Sequence, residues 1–525
     1  MQIYSFSPFG YEGALVTVEV DLRRGIPAID IVGLADGAVR ESRERMQAAI
    51  KNSGFEFPGE RVLISLSPAD LKKEGAGFDL PIALGVLAAK VQDLKVTESV
   101  LVMGELELSG KIRNVRGVHA AASTAFDCGI TKCIVPSGNA DEAREVSGMK
   151  VFGADNLENA FLALNNPLCF TEIGEKNSFK ENEGFEDAQE ISGVWFPKIG
   201  ENEEFFEIVN QEKLVRGLQI AACGGHNLLT VGSPGCGKTM ALQKFSGLLP
   251  ILTNEQSQST TRIMSLAGLL PGNKSIIRIP PFRIPHQTAT IEGICGGGPL
   301  CRPGEISLAH NGVLFLDEAA EFKSSVLQML RVPIENGRIT LSRAGRSTVF
   351  PADFQLIMAT NPCPCGNYGS ENKICLCSAR SIELYWKKFS SPLLDRIDIR
   401  IPIENKITFN GEKNGENEGK IFRISTAELR KKIAVGLCAQ RKRQKVKNAK
   451  LTPAQIDEFC KLDNEGQKFL EKIVEKHSLS PRGISSILKL SRTICDMENR
   501  EKINLSDLKE ASEFRTGLKD YINFC

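Results

Sequence analysis

The chain has 525 residues, 42% of them hydrophobic and 25% charged, and a formal net charge of +1. That balance suits a soluble globular protein of about two to four domains. It excludes a global electrostatic field that would hold nucleic acid or a membrane, so any polyanion must be met by a local patch. Residues 1–8 carry no basic region or apolar core, and fifteen cysteines are spread along the chain. Together these predict a cytoplasmic protein whose cysteines are thiols or metal ligands, not disulfides. The apolar run 80–89 is too short to span a bilayer and contains Pro81 and Gly85, so no membrane is expected.

Residues 1–168 read as an α/β domain of their own. Runs at 14–20 and 61–66 have strand character, 41–51 and 80–90 have helical character, and 132–136 is a short strand ending at Pro136. No phosphate loop occurs in this stretch. Residues 171–190 hold seven acidic and two basic residues, which makes 169–190 an acidic linker.

A second α/β unit is expected over 191–405. The apolar run 227–231 leads into Gly232-Ser233-Pro234-Gly235-Cys236-Gly237-Lys238-Thr239, which opens a helical pattern at 240–245. Strand, glycine-rich turn and helix form the setting that a nucleotide phosphate requires. Glycines let backbone N–H groups turn inward around an anion. The eight residues Gly232 to Thr239 are thus expected to cradle ATP, with Lys238 at the β- and γ-phosphates and Thr239 on Mg²⁺. The apolar run 312–316 ends in Asp317-Glu318. Asp317 is expected to share the Mg²⁺ with Thr239, and Glu318 to polarise the attacking water. A third apolar run, 354–359, ends in Thr360-Asn361, where Asn361 can orient the same water. This is the order of an AAA+ ATPase: Walker A, Walker B, sensor 1.

Between the first two motifs, 280–287 and 296–310 are dense in turn residues. After the second, 322–331 is helical. Turn signals at Asn336-Gly337 and Ala344-Gly345 then bracket an alternating strand, predicting a β-hairpin that carries Arg338, Arg343 and Arg346. Those arginines suit either phosphate contact or plain solvation. Cys363, Cys365, Cys375 and Cys377 lie within the insert 363–377. They are expected to form a tetrahedral thiolate site for structural Zn²⁺, with free thiols as the alternative. Arg396 follows in Leu393-Leu394-Asp395-Arg396, where Asp395 or Asp398 could pair with it. A polar stretch at 406–420 is expected to be a flexible insertion. Helices are expected at 426–443, 453–462, 466–476, 482–497 and 506–515, within a lid spanning 421–525. Residues 430–450 hold nine basic residues and no acidic one, readable as a phosphate-binding face or a solvated surface.

Several segments resemble the magnesium-chelatase-like AAA+ family of the YifB/ComM group. They are 31–45 (Ile-Val-Gly-Leu-Ala-Asp-Gly through Arg45), 70–75, 78–85, 207–227, 280–310, the paired cysteines and Leu393 to Arg396. The resemblance covers nearly the whole chain. It implies a Lon-protease-like (ribosomal S5 domain 2-like) domain at 1–168, then an AAA+ core with a helix-2 insert and a pre-sensor-1 hairpin, then a helical lid. It implies that Arg396 is an arginine finger for a neighbouring subunit and Arg482 is sensor 2. It implies a homo-oligomeric ring, a hexamer, whose hairpin faces single-stranded or branched DNA, and helicase or branch-migration activity in recombination or natural transformation. Aligned on the Ser–Lys dyad of Lon peptidases, Gly77 and His119 occupy the two positions, so a retired peptidase scaffold is expected. A magnesium-chelatase-type or chaperone-like motor acting on a protein partner is the alternative, and an ATP-dependent protease is a more distant one.

Overall fold

The computed structural model describes residues 2–69, 71, 73, 75–91, 99–171, 188–271, 276–298, 301–343, 346–370, 373–403 and 422–518. The expected insertion at 406–420 and most of the acidic linker lie outside the described residues, as does the Ala344-Gly345 turn.

The N-terminal part is built on a seven-stranded mixed sheet. Its spatial order is Ile29–Val32, Arg61–Ser67, Ala14–Arg23, Ile3–Ser7, Val100–Val102, Lys132–Pro136 and Lys150–Ala154. Alternation in Ala14–Arg23 buries Val16 and Val18 while exposing Glu19, as a strand with one covered face requires. The cover includes helix Asp79–Lys90, whose apolar residues are buried almost from end to end. Asp79 is completely buried, and Arg45 satisfies it with a fork of 2.8 and 3.0 Å. This two-point charge-assisted contact is the arrangement in which a buried carboxylate is tolerable.

The second sheet has five parallel strands in the order Phe282–Arg283, Val313–Leu316, Gln355–Thr360, Leu228–Gly232 and Ile399–Ile403. Every residue of the three central strands is buried, because helices and loops cover both faces. The strand that comes first in the chain lies between the fourth and the fifth. The carboxyl ends of Leu228–Gly232, Val313–Leu316 and Gln355–Thr360 therefore open side by side, where such sheets bind ligands.

Behind this sheet, helices Thr426–Arg443 and Pro481–Met497 pack on helix Glu212–Gly224. Leu429, Ile433 and Leu437 fall at four-residue steps on one face of the first, and a Ser425/Glu428 capping box starts it. Three shorter helices follow the expected pattern: Pro453–Phe459, Asn464–His477 and Leu505–Thr516. Among the described residues no helix is long and apolar enough to cross a membrane.

The basic run at 430–450 does not make one face. Arg430 is buried and donates to the carbonyls of Gly247 (2.6 Å) and Pro197 (2.7 Å). Arg443 forks onto Asp496 at 2.8 and 2.7 Å, Lys432 pairs with Glu498, and Lys450 pairs with Asp353. A period of 3.6 residues spreads adjacent charges around the helix, and several find internal partners.

His226 joins the sheet to the C-terminal helices. Its ring is buried, with Nδ1 3.1 Å from Asp398 Oδ2 and Nε2 2.8 Å from Thr493 Oγ1. Replacing His226 with Ala removes one hydrogen bond from each partner, although Asp398 keeps Ser486 and Thr493 keeps Asn448, and should cost about 1–3 kcal/mol of stability. Urea unfolding followed by tryptophan fluorescence measures this, and an unchanged midpoint would contradict it.

Candidate active site

Strand Leu228–Gly232 delivers the chain into the glycine-rich loop. Gly235 and Gly237 both have φ of +80°, a left-handed conformation that glycine adopts without steric penalty. The loop can therefore double back before helix Lys238–Gln243 starts. Lys238 is 8% exposed. Its ammonium donates to the Gly232 carbonyl, to the Ser233 carbonyl at 3.0 Å and to Asn361 Oδ1 at 3.1 Å. Burial holds its pKa below the usual lysine value, while Cys236, Asp317 and Glu318 oppose that shift.

Thr239 Oγ1 donates to Asp317 Oδ2 at 3.0 Å, and the other oxygen of Asp317 accepts the Glu318 N–H at 3.0 Å. Hydroxyl and carboxylate oxygens side by side are a hard donor set that suits Mg²⁺. Glu318 has φ of +47°. That is a sparsely populated backbone for a side-chain-bearing residue, and such outliers cluster at functional sites. Its carboxylate accepts from the Gln287 amide. The structure thus pairs Lys238 with Asn361 and Thr239 with Asp317, with Glu318 next in chain.

Asn361 leads straight into the cysteine insert. The sulfurs of Cys363, Cys365, Cys375 and Cys377 all lie within 4.8 Å of one another. The pairs 363–365, 363–375 and 365–375 are 3.3, 3.7 and 3.6 Å apart. Zinc thiolate bonds of about 2.3 Å in a tetrahedron imply sulfur–sulfur edges of about 3.8 Å, so these four residues fit such an ion. The Tyr368 N–H donates to Cys363 Sγ at 3.3 Å. The Cys365 thiol is pulled down to about 6, first by the backbone N–H of Asn367 and then by Cys363. The insert also touches the phosphate loop: a Cβ at Gly366 would stand 2.5 Å from Cδ of Pro234.

Arg396 and Arg482 come together elsewhere, on opposite oxygens of the Glu335 carboxylate. Arg396 also donates to the Pro392 carbonyl at 2.6 Å. The Arg396 guanidinium is the main reason the Glu335 pKa is lowered. Arg396 pairs with neither acid near it in sequence. Asp395 is held by Arg515 at 2.7 Å, and Asp398 by His226 and Ser486. Neither arginine bonds to Lys238, Thr239, Asp317 or Glu318. Beside Arg482 opens a cavity of about 540 Å³, lined among others by Asp395, Arg400 and Arg515.

The hairpin consists of Arg338–Arg343 and Arg346–Pro351. Asn336-Gly337 does not form a hairpin turn, because Gly337 caps the preceding helix Arg331–Asn336 in the left-handed conformation. Exposed Arg338 pairs with Pro351 at the root, whereas positions 343 and 346 pair beside the turn. The side chains of Arg343 and Arg346 lie outside the described residues.

In the N-terminal domain, Gly77 lies in the short turn Ala76–Phe78 and His119 in helix Val118–Asp127. His119 is 1% exposed, and its Nε2 is 2.6 Å from Gln258 Oε1. Burial drives its pKa down to about 4. Sequence reasoning missed Glu335, which has no local signal. It gave Gln287 no specific role, although that residue reaches Glu318.

Three family profiles match successive parts of the chain. The profile described as "Magnesium chelatase, subunit ChlI" matches residues 204–410. "Subunit ChlI of Mg-chelatase" matches 18–139, and "Magnesium chelatase, subunit ChlI C-terminal" matches 423–515. The uncharacterized protein YifB of Escherichia coli (strain K12) is 37% identical over 523 residues, covering 98% of this chain and 96% of that protein. The competence protein ComM of Haemophilus influenzae is 38% identical over 519 residues, covering 98% and 97%. The archaeal Lon protease of Methanocaldococcus jannaschii is 24% identical over 250 residues, 46% of this chain and 33% of that one. With profiles along most of its length and relatives matched nearly end to end, the chain belongs to the YifB/ComM group of the magnesium-chelatase-like AAA+ family.

Proposed function

We propose that this protein is a Mg²⁺-dependent ATP hydrolase that assembles into a hexameric ring and works as a motor on single-stranded or branched DNA. The task is strand displacement or branch migration in the cytoplasm, during recombination or natural transformation. The observation that carries the proposal is the pairing of Lys238 with Asn361 and of its neighbour Thr239 with Asp317 at three adjacent strand ends.

In this reading, Gly232 to Gly237 wrap the phosphates of ATP and Lys238 binds the β- and γ-phosphates. Thr239 and Asp317 hold Mg²⁺, which neutralises charge on the phosphates when bound. Glu318 takes the proton of the attacking water and Asn361 orients that water. Arg396 and Arg482 share Glu335 away from their own phosphate loop, so both are read as serving the γ-phosphate of the neighbouring subunit. Hydrolysis then depends on assembly. The DNA reading rests on Arg338, Arg343 and Arg346 on the hairpin and on the name of the Haemophilus influenzae relative, a competence protein. Contacts to phosphates suit a motor that must tolerate every sequence. Gly77 and the buried His119 supply neither the nucleophile nor the base of a Lon-type peptidase, so proteolysis is disfavoured.

The cysteine insert is proposed to hold one structural Zn²⁺ per chain through Cys363, Cys365, Cys375 and Cys377. Metal analysis of protein purified without added zinc tests this. A folded, metal-free protein with four titratable thiols in the insert would contradict it.

Lys238→Ala should abolish nucleotide binding or turnover. Glu318→Gln should keep ATP binding and slow hydrolysis by about 10²–10⁴-fold, as a steady-state phosphate-release assay would show. Near-normal turnover in Glu318→Gln removes that residue from the mechanism. Arg396→Ala should bind ATP without hydrolysing it. Mixing it with Lys238→Ala protein should restore part of the activity, since each variant keeps what the other lacks. No rescue in mixed rings counts against action across subunits.

A further inference from the structure

The loop joining the first two strands of the N-terminal domain reaches across to the second strand of the basic hairpin. Gly10 has φ of +65°, and a Cβ there would fall 1.9 Å from Thr348 Oγ1, so the backbone lies flush on that threonine. The Tyr11 N–H donates to Thr348 Oγ1 at 3.2 Å. The Tyr11 ring stands edge-on to Phe350, with centroids 6.1 Å apart at 69°. Thr348 and Phe350 are two residues apart and so share one face of the strand.

A third element closes on the same tyrosine. Arg262, from helix Asn254–Ala267, lies over the Tyr11 ring at 4.9 Å and donates from Nε to the Tyr11 carbonyl at 3.0 Å. Its terminal nitrogens donate to the Glu12 carbonyl (3.0 Å), Thr124 Oγ1 (2.9 Å) and Ser123 Oγ (3.2 Å). A planar guanidinium spent on four acceptors fixes its orientation. The same helix leans on the catalytic strand. Asn311, two residues before Val313–Leu316, donates to Ser259 Oγ at 3.1 Å and Thr260 Oγ1 at 3.2 Å.

The hairpin's two strands form a sheet of their own, not joined by hydrogen bonds to the five-stranded sheet. Ile339 and Phe350 anchor its root in the core of the ATPase unit, and the loop at Gly10 and Tyr11 adds a second hold on its other strand. We infer that Gly10, Tyr11 and Arg262 are positioning residues that clamp the hairpin to the N-terminal domain and to the helix beside the catalytic strand, so that hairpin position and ATP turnover are coupled. The coupling to DNA rests on the DNA reading above, but the clamp itself does not.

Among the described residues, Tyr11 makes its contacts through its ring and its backbone, with no hydrogen bond from the hydroxyl. Full-length Tyr11→Phe should therefore behave like the parent. Tyr11→Ala should speed amide hydrogen exchange in peptides covering 338–351 by at least tenfold. Exchange at 228–243 and ATPase without DNA should stay within twofold, while ATPase with forked DNA loses at least tenfold. Thr348→Ala leaves the N-terminal domain untouched and should reproduce these effects if Tyr11→Ala does not fold. Hairpin exchange unchanged in both variants overturns the clamp, whatever DNA does. Faster hairpin exchange with full DNA stimulation overturns the coupling. A parent that ignores DNA refutes the DNA reading, and the exchange data still decide the clamp.

Discussion

Lys238 brings a positive charge into a place where water barely reaches it, and the arrangement of the ATPase unit is what makes this tolerable. An unpartnered buried ammonium would lose its proton. Here three oxygens, from Gly232, Ser233 and Asn361, take up its donors. Those oxygens lie at the carboxyl ends of two strands that are distant in sequence and adjacent in space. They meet only because the first strand of this sheet lies between the fourth and fifth. Thr239 and Asp317 meet for the same reason one strand further along. The parallel sheet is thus a device for setting chemical groups beside one another, and its buried apolar runs are what hold the register.

Around that centre the molecule uses charges in pairs. Arg45 on Asp79 and Arg443 on Asp496 each join elements that the chain brings from far apart. Breaking one partner of such a pair leaves the other desolvated and unmatched. Glu335 differs. It is half exposed and holds two arginines that have no role in its own helix. Solvent screening makes that triad weak as a stabiliser.

Much of this was legible in the sequence wherever a signal is local. The run Val313–Leu316 reads as a buried parallel strand because it has no polar alternation, and the glycine-rich loop is marked by its own residues. The four cysteines announce a cluster by spacing alone. What escaped was set by contacts between residues far apart. Tyr11 and Thr348 are 337 positions apart, and nothing in either neighbourhood points to the other. The basic run at 430–450 could be read as a phosphate-binding face or a solvated surface, because sequence shows charge without showing direction. Gly337 looked like a hairpin turn because a left-handed glycine ends a helix as readily as it turns a ribbon. The alternative that Arg396 pairs with Asp395 or Asp398 is not met, because Arg515, Ser486 and His226 bind those carboxylates.

The central claim is that ATP turnover at Lys238, Thr239, Asp317 and Glu318 is geared to DNA. The direct measurement is steady-state ATPase of the full-length protein with Mg²⁺, with and without a forked duplex, at several salt concentrations. The account predicts hydrolysis that rises severalfold with DNA and loses that stimulation steeply as salt increases, as multiple phosphate contacts require. Hydrolysis that is absent, or identical with and without the fork at low salt, would contradict it.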